Sequence, residues 1–208
     1  MLPIAPEGWG YIVVPLVLAG VLALAGWLKL AVVLGVVATF MAFFFRDPER
    51  VAPPIAGAIL APADGQVVDV RARVDDPFVG AAQTVSIFLS PLDVHVNRSP
   101  LAGLIVSVEY RPGAKMAAYR PEASERNEST TIAIQGEAGR VVVRQIAGVL
   151  ARRIVCWVRP GDRLGAGERF GLIKFGSRTD LVMPASIRPH VRKGDRVRGG
   201  ETVVGVFP

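Results

Sequence analysis

The chain has 208 residues, which suggests one domain with a short added segment, and 51% of its residues are hydrophobic. The formal net charge of +6 at pH 7 favours contact with anionic lipid head groups. Nucleic-acid binding is disfavoured, because no run of lysine and arginine exceeds two residues. The single cysteine, Cys156, excludes an internal disulfide and lies in an apolar stretch, where a buried core thiol is expected.

An apolar segment at residues 11–45 carries only one charge, Lys29. A membrane-spanning helix needs about 20 apolar residues, so two arrangements fit: a helical hairpin that turns near Lys29, or one long tilted helix whose Lys29 amine reaches the membrane surface. The lack of a basic residue before Lys29 disfavours a secretory signal peptide. Arg46 and Arg50 follow the segment, which predicts that the main body lies on the cytoplasmic side of the cell membrane.

After a linker rich in proline and glycine, the sequence predicts a β domain. Short runs of β-branched and aromatic residues between glycine, proline and aspartate are typical of strands. The predicted strands are QVVDVRARV, QTVSIFL, LIVSVEYR, STTIAIQG, GRVVVRQIAG, RIVCWVRP, FGLIKF, TDLVMP and ETVVGVF. The fourth and fifth form a hairpin candidate with its turn at residues 136–139, whereas residues 114–129 lack periodicity and are predicted to be a loop that could include a helical turn.

One internal repeat indicates the architecture. RPGDRLGAGERFG at residues 159–171 is similar to RKGDRVRGGETVVG at residues 192–205, and each places a Gly-Asp turn before a strand. The pattern resembles the half-motifs of lipoyl and biotinyl-type barrels. We therefore predict a mainly β fold, a flattened β-barrel or sandwich, preceded by an apolar helical membrane segment.

Three polar residues stand out as candidates for chemistry. Asp64 lies in APADG, His95 in SPLDVHVNRSP, and Ser177 in GLIKFGSRTDLVMP, where two predicted strands meet. Each has an ordinary explanation when taken alone: a turn aspartate, a strand histidine and a loop serine. His95 and His190 are the two histidines of the chain.

Four stretches together carry a resemblance to a known family. FFRDPER, APADG, FLSPLDVHVNRSP and FGSRTDLVMP, between residues 43 and 184, resemble the short, membrane-associated bacterial form of phosphatidylserine decarboxylase. The resemblance implies a proenzyme that cuts itself between Gly176 and Ser177. It implies that Ser177 becomes a covalent pyruvoyl group, that His95 acts as base, and that Asp64 orients His95, by the logic of a Ser-His-Asp triad.

The resemblance further implies that the pyruvoyl group forms a Schiff base with phosphatidylserine, that carbon dioxide leaves, and that His95 supplies the proton that completes phosphatidylethanolamine. The chain would divide into a membrane-associated segment at residues 1–46 and a catalytic domain at residues 47–208. Cleavage would leave chains 1–176 and 177–208 as a heterodimer, with a higher oligomer left open. The partners implied are the membrane and a phospholipid substrate; no metal and no nucleic acid is expected.

One position departs from the family pattern. Longer members carry a second histidine three residues after the first, where this chain has Arg98. Either His95 serves both self-cleavage and protonation, or His190 takes a part. Arg98 suits a substrate phosphate or a surface turn before a proline, and Arg178 suits either substrate charge or a structural role.

Two other classes of function compete with the decarboxylase. A membrane-anchored lipoyl-like barrel could act as a non-enzymatic binding or adaptor module, although no sustained heptad or modifiable lysine supports it. A hydrolase that uses Ser177 lacks the G-x-S-x-G turn and the alternation of strands and helices. Both rivals predict an uncut polypeptide.

Overall fold

A computed structural model describes residues 3–114, 116–117, 123–149 and 153–208. The chain forms two compact units that divide between Glu49 and Arg50. The first is helical and the second is built of strands. The predicted mainly β fold with an apolar helical segment before it is confirmed.

The first unit is a pair of helices. Helix α1 spans Trp9–Leu24 and helix α2 spans Leu28–Phe44, after a turn of 3₁₀-helix at Pro6–Gly8. The Ala5 amide donates to the Phe45 carbonyl at 2.9 Å, so the chain returns to its starting point as a hairpin. Pro6–Leu24 is long and apolar enough to cross a membrane, whereas α2, with 17 residues, is shorter. Many apolar side chains of both helices are exposed, which suits contact with lipid.

The second unit contains thirteen strands and one helical turn, α3 at Ala123–Arg126, among its described residues. The strands are β1 (Ala58–Leu60), β2 (Gly65–Asp76), β3 (Gly80–Leu89), β4 (Val96–Arg98), β5 (Gly103–Arg111), β6 (Ser129–Gly136), β7 (Arg140–Ile146), β8 (Arg153–Cys156), β9 (Arg163–Leu164), β10 (Arg169–Lys174), β11 (Ser177–Pro184), β12 (Arg196–Val197) and β13 (Val203–Val206).

Three antiparallel sheets organise these strands. The largest has the order β12-β2-β3-β11-β7-β6-β5-β9, the second is β4-β10-β8, and the third pairs β1 with β13. All nine predicted strands are observed, and the β6–β7 hairpin turns where predicted, with the Gly136 amide bonded to the Gly139 carbonyl. In the 114–129 segment the predicted helical turn is α3, and residues 115 and 118–122 lie outside the described part.

The internal repeat forms two matching turns. The Asp162 carboxylate accepts a hydrogen bond from the Arg159 amide at 2.9 Å, and Asp195 accepts one from the Arg192 amide at the same distance. The glycine of each Gly-Asp pair has a positive φ, which a residue without Cβ adopts readily. The two turns precede β9 and β12, the two edge strands of the large sheet.

The core lies inside the curl of the large sheet. Leu164 and Val197 on the edge strands belong to the same buried cluster as Leu181 on the central strand β11. Phe170 on β10 and Phe207, the residue directly after β13, belong to the same cluster. Full burial of one such side chain stabilises the fold by about 1.5–3 kcal/mol.

The last three strands are interleaved with earlier ones. Strand β11 lies between β3 and β7 and pairs with β3 along its whole length, from Ser177 to Pro184. Strand β12 pairs with β2, and β13 pairs with β1. Every described strand after residue 176 therefore pairs with strands that precede residue 176.

Candidate active site

The joint between β10 and β11 has an unusual backbone. Phe175 and Gly176 have φ angles of +62° and +59°, so two consecutive residues are left-handed. Within these two residues the chain leaves the three-stranded sheet and enters the middle of the large sheet. A left-handed conformation costs a residue with a Cβ about 1–2 kcal/mol, a cost that Gly176 avoids and Phe175 bears.

Ser177, the first residue of β11, is fully buried opposite Leu89 of β3. Its Oγ has no hydrogen-bond partner among the described residues. A buried hydroxyl without a partner costs about 1–3 kcal/mol, so its presence calls for an explanation. One explanation is that this hydroxyl is a nucleophile, held beside the carbonyl that it attacks.

His95 is also buried, directly before β4. Its Nδ1 lies 2.9 Å from the Asp93 carbonyl oxygen. A carbonyl only accepts, so Nδ1 carries the proton of the neutral ring and Nε2 is the basic nitrogen. The His95 carbonyl accepts a hydrogen bond from the amide of Ile173, four residues before Ser177.

A buried polar network joins the strand of His95 to the strand of Ser177. Asn97 Nδ2 donates to Thr179 Oγ1 at 3.2 Å. Gln145 Nε2, on β7, donates to Asn97 Oδ1 at 2.8 Å. Asn97 follows His95 by two residues and Thr179 follows Ser177 by two, a spacing of about 7 Å that keeps side chains on one face of a strand. No sequence motif indicates this network, and its signal in the sequence is limited to that two-residue spacing.

Asp64 is bound on both of its carboxylate oxygens. Oδ2 accepts from Arg50 Nη2 at 2.8 Å, and Oδ1 accepts from the Gly199 amide at 2.8 Å. Arg50 also donates to Glu201 at 3.1 Å. Asp64 thus joins the start of the domain to its C-terminal segment. The His95 ring donates from Nδ1 to the Asp93 carbonyl.

The two candidate arginines are buried. Arg98 Nη1 donates to the Gly167 carbonyl at 3.0 Å. Because Arg98 is buried, the alternative of a surface arginine at this position is wrong. Arg178 Nε donates to Asp180 Oδ1 at 2.6 Å, and its Nη2 donates to Ser86 Oγ at 2.7 Å.

Two further features lie apart from this group of residues. His190 is exposed in the segment between β11 and β12. A cavity of about 460 Å³ is lined by residues that include Ile55, Leu101 and Phe207, and its lining contains neither Ser177 nor His95.

Comparisons with known proteins identify the family. The family model described as phosphatidylserine decarboxylase matches residues 37–205. The chain is 49% identical to the phosphatidylserine decarboxylase proenzyme of Symbiobacterium thermophilum, over 99% of this chain and 96% of that protein. It is 43% identical to the proenzyme of Chlorobium phaeobacteroides (97% and 98%) and 45% identical to that of Nitrosomonas eutropha (98% and 95%). The chain therefore belongs to the phosphatidylserine decarboxylase family.

Proposed function

We propose that this chain is a self-processing enzyme that converts phosphatidylserine to phosphatidylethanolamine. It cuts its own backbone between Gly176 and Ser177 and turns Ser177 into a pyruvoyl group. The observation that carries the proposal is the buried Ser177 hydroxyl, without a hydrogen-bond partner among the described residues, at a joint of two left-handed residues.

Self-cleavage follows from the chemistry of these residues. Ser177 Oγ attacks the Gly176 carbonyl carbon, a C–O bond forms, and the peptide C–N bond breaks, so the acyl group moves from nitrogen to oxygen. His95 Nε2 receives the hydroxyl proton and passes it to the Ser177 nitrogen as the C–N bond breaks. Loss of the Ser177 Cα proton to a base and breakage of the Cβ–Oγ bond then release the Gly176 carboxylate and leave dehydroalanine at position 177. Dehydroalanine tautomerises to an imine, and water hydrolyses the imine to the ketone and ammonia.

The left-handed joint supports this step. The conformation of Phe175 stores about 1–2 kcal/mol in the uncut chain. Cleavage after Gly176 frees Phe175 from the constraint of the turn. Backbone strain at a reacting bond raises the energy of the starting state and so assists its breakage.

The surroundings of Ser177 fit the group that would form there. A pyruvoyl group has no more heavy atoms than the serine residue from which it derives, so it fits where the fully buried Ser177 lies. It supplies a ketone that condenses with the substrate amine as a Schiff base and withdraws electrons as carbon dioxide leaves. His95 is the proton donor to the substrate carbon, which assigns both proton transfers to one histidine.

Asp64, Arg98 and Arg178 have supporting roles in this proposal. The bonds of Asp64 to Arg50 and Gly199 favour holding the two cleavage chains together over orienting His95. The buried contacts of both arginines favour a structural role over a phosphate contact.

The proposed enzyme is a heterodimer of chains 1–176 and 177–208 at the cell membrane. Its apolar helices, within residues 1–46, attach it to the bilayer that contains the substrate. The catalytic domain, residues 47–208, lies on the cytoplasmic side. Pairing of all the later strands with earlier ones supports an assembly that persists after cleavage.

The test is the intact mass of the purified chain under denaturing conditions. Wild type is expected to give two chains that divide after Gly176, with the small chain carrying the pyruvoyl mass, while Ser177→Ala stays whole. His95→Gln is expected to stay whole as well, and His190→Gln, the matched control at the other histidine, is expected to be cut normally. An uncut wild type would refute the proposal and favour a membrane-anchored binding module.

A further inference from the structure

Gln145 has a buried atom that the steps described above do not use. Its side chain is fully buried on β7, and its Nε2 donates to Asn97. Its Oε1 has no hydrogen-bond partner among the described residues, as is true of Ser177 Oγ. A buried amide oxygen left without a donor is costly, so Oε1 is available to a donor that arrives with a ligand.

The orientation of the Gln145 amide is fixed by its neighbours. Asn97 Nδ2 lies 3.4 Å from the Pro62 carbonyl oxygen, which only accepts, so this atom of Asn97 is the nitrogen. The Asn97 atom that faces Gln145 is therefore the oxygen, Oδ1, and Gln145 donates to it from Nε2. The atom left over is the acceptor, Oε1.

Gln145 lies within reach of position 177. It is directly opposite Thr179 in the β7–β11 pair, and Ser177 is two residues away on the same face. Such diagonal neighbours are close enough for a long side chain to contact. Gly171 makes room for it, because a Cβ there would lie 3.1 Å from Gln145 Nε2.

We infer that Gln145 Oε1 forms an amine subsite: it accepts a hydrogen bond from the nitrogen of the substrate's serine head group as that nitrogen meets position 177. The inference rests on the proposed function. An amide suits this task because it orients an N–H without a negative charge. A carboxylate would hold the amine protonated and therefore unreactive.

The experiment compares Gln145→Met, which keeps the length but loses both the Oε1 acceptor and the Nε2 donor to Asn97, with Gln145→Glu, which keeps an acceptor and adds a charge. The matched control is Gln83→Met. Gln83 is another buried glutamine, and its Nε2 donates to the carbonyls of Pro184 and Ile187, which belong to the proposed small chain 177–208. Three readouts are taken: the extent of self-cleavage, the amine adduct trapped by cyanoborohydride as a function of amine concentration and pH, and kcat/KM per processed molecule.

We expect Gln145→Met to cut itself and to need roughly 10- to 100-fold more phosphatidylethanolamine for half-maximal trapping, with a similar loss in kcat/KM. Gln145→Glu should trap amine only at higher pH than wild type. Gln83→Met should match wild type in all three readouts.

The outcomes separate the two proposals. An uncut wild type would refute the proposed function and the amine subsite with it. A processed Gln145→Met that traps amine at the wild-type concentration would refute the subsite alone. If both Gln145 variants fold with wild-type denaturation midpoints but stay uncut, Gln145 acts in self-cleavage and the subsite is refuted as well.

Discussion

The ion pair between Arg178 and Asp180 provides a quantitative test of how β11 is held. Both side chains are 3% exposed. Asp180 accepts from Arg178 at 2.6 Å and from Ser124 Oγ at 2.8 Å. Asp180→Ala would therefore remove a buried, negatively charged partner of the Arg178 guanidinium.

The expected cost is large because the pair that is broken is buried on both sides. Removal of one partner from a buried pair costs about 3–5 kcal/mol. The pair between Arg71 and Asp69 is the control, since those side chains are 44% and 43% exposed. Loss of such a surface pair costs about 0–1 kcal/mol.

The assay is urea unfolding of the full chain in detergent, in a Ser177→Ala background so that the chain stays whole. The β signal in circular dichroism is followed for Asp180→Ala, Asp69→Ala and the double variant Arg178→Met with Asp180→Leu. The double variant should be more stable than Asp180→Ala, because neither charge remains. Equal losses for Asp180→Ala and Asp69→Ala would refute the argument.

Three further predictions concern the joint, the contacts of Asp64 and the thiol. Phe175→Asn should relieve about 1 kcal/mol of backbone strain and slow self-cleavage about fivefold, as measured by a time course of chain masses. An unchanged rate would show that this strain does not assist cleavage. Arg50→Met and Asp64→Asn should lower the urea concentration at which the two cleavage chains separate by similar amounts, with little change in self-cleavage rate. A cleavage defect confined to Asp64→Asn would instead support an orienting role toward His95. Burial raises the pKa of the Cys156 thiol. Alkylation of this thiol by iodoacetamide, followed by mass, should therefore have its midpoint above the pH of about 8.5 that is usual for cysteine. A midpoint at or below that pH would contradict the burial argument.

Much of the fold was predictable because its signals are local. The nine longer strands have β-branched runs with turn residues at their ends, and both Gly-Asp turns are visible as a repeat. Strands β1, β4, β9 and β12 were missed, since each has only two or three residues. Strands this short show no alternation of their own and exist only through pairing with distant partners.

The candidate site was predictable only in part. Ser177 and His95 stand in recognisable stretches, but Gln145 contacts Asn97 across 48 positions of sequence and no motif connects them. Arg98 illustrates a second limit. Its burial depends on space beside Gly200, where a Cβ would lie 2.9 Å from the Arg98 side chain, and a sequence pattern does not encode such space.

The interleaving of the strands on either side of residue 176 has a consequence for the lifetime of the protein after the proposed cleavage. The short fragment supplies the strand between β3 and β7, so its departure requires the large sheet to open in the middle. Exchange of fragments between molecules should then be as slow as global unfolding. After the proposed cleavage, hydrogen bonds between paired strands would hold the two fragments together in place of the peptide bond. Each molecule would therefore keep the fragment that it made.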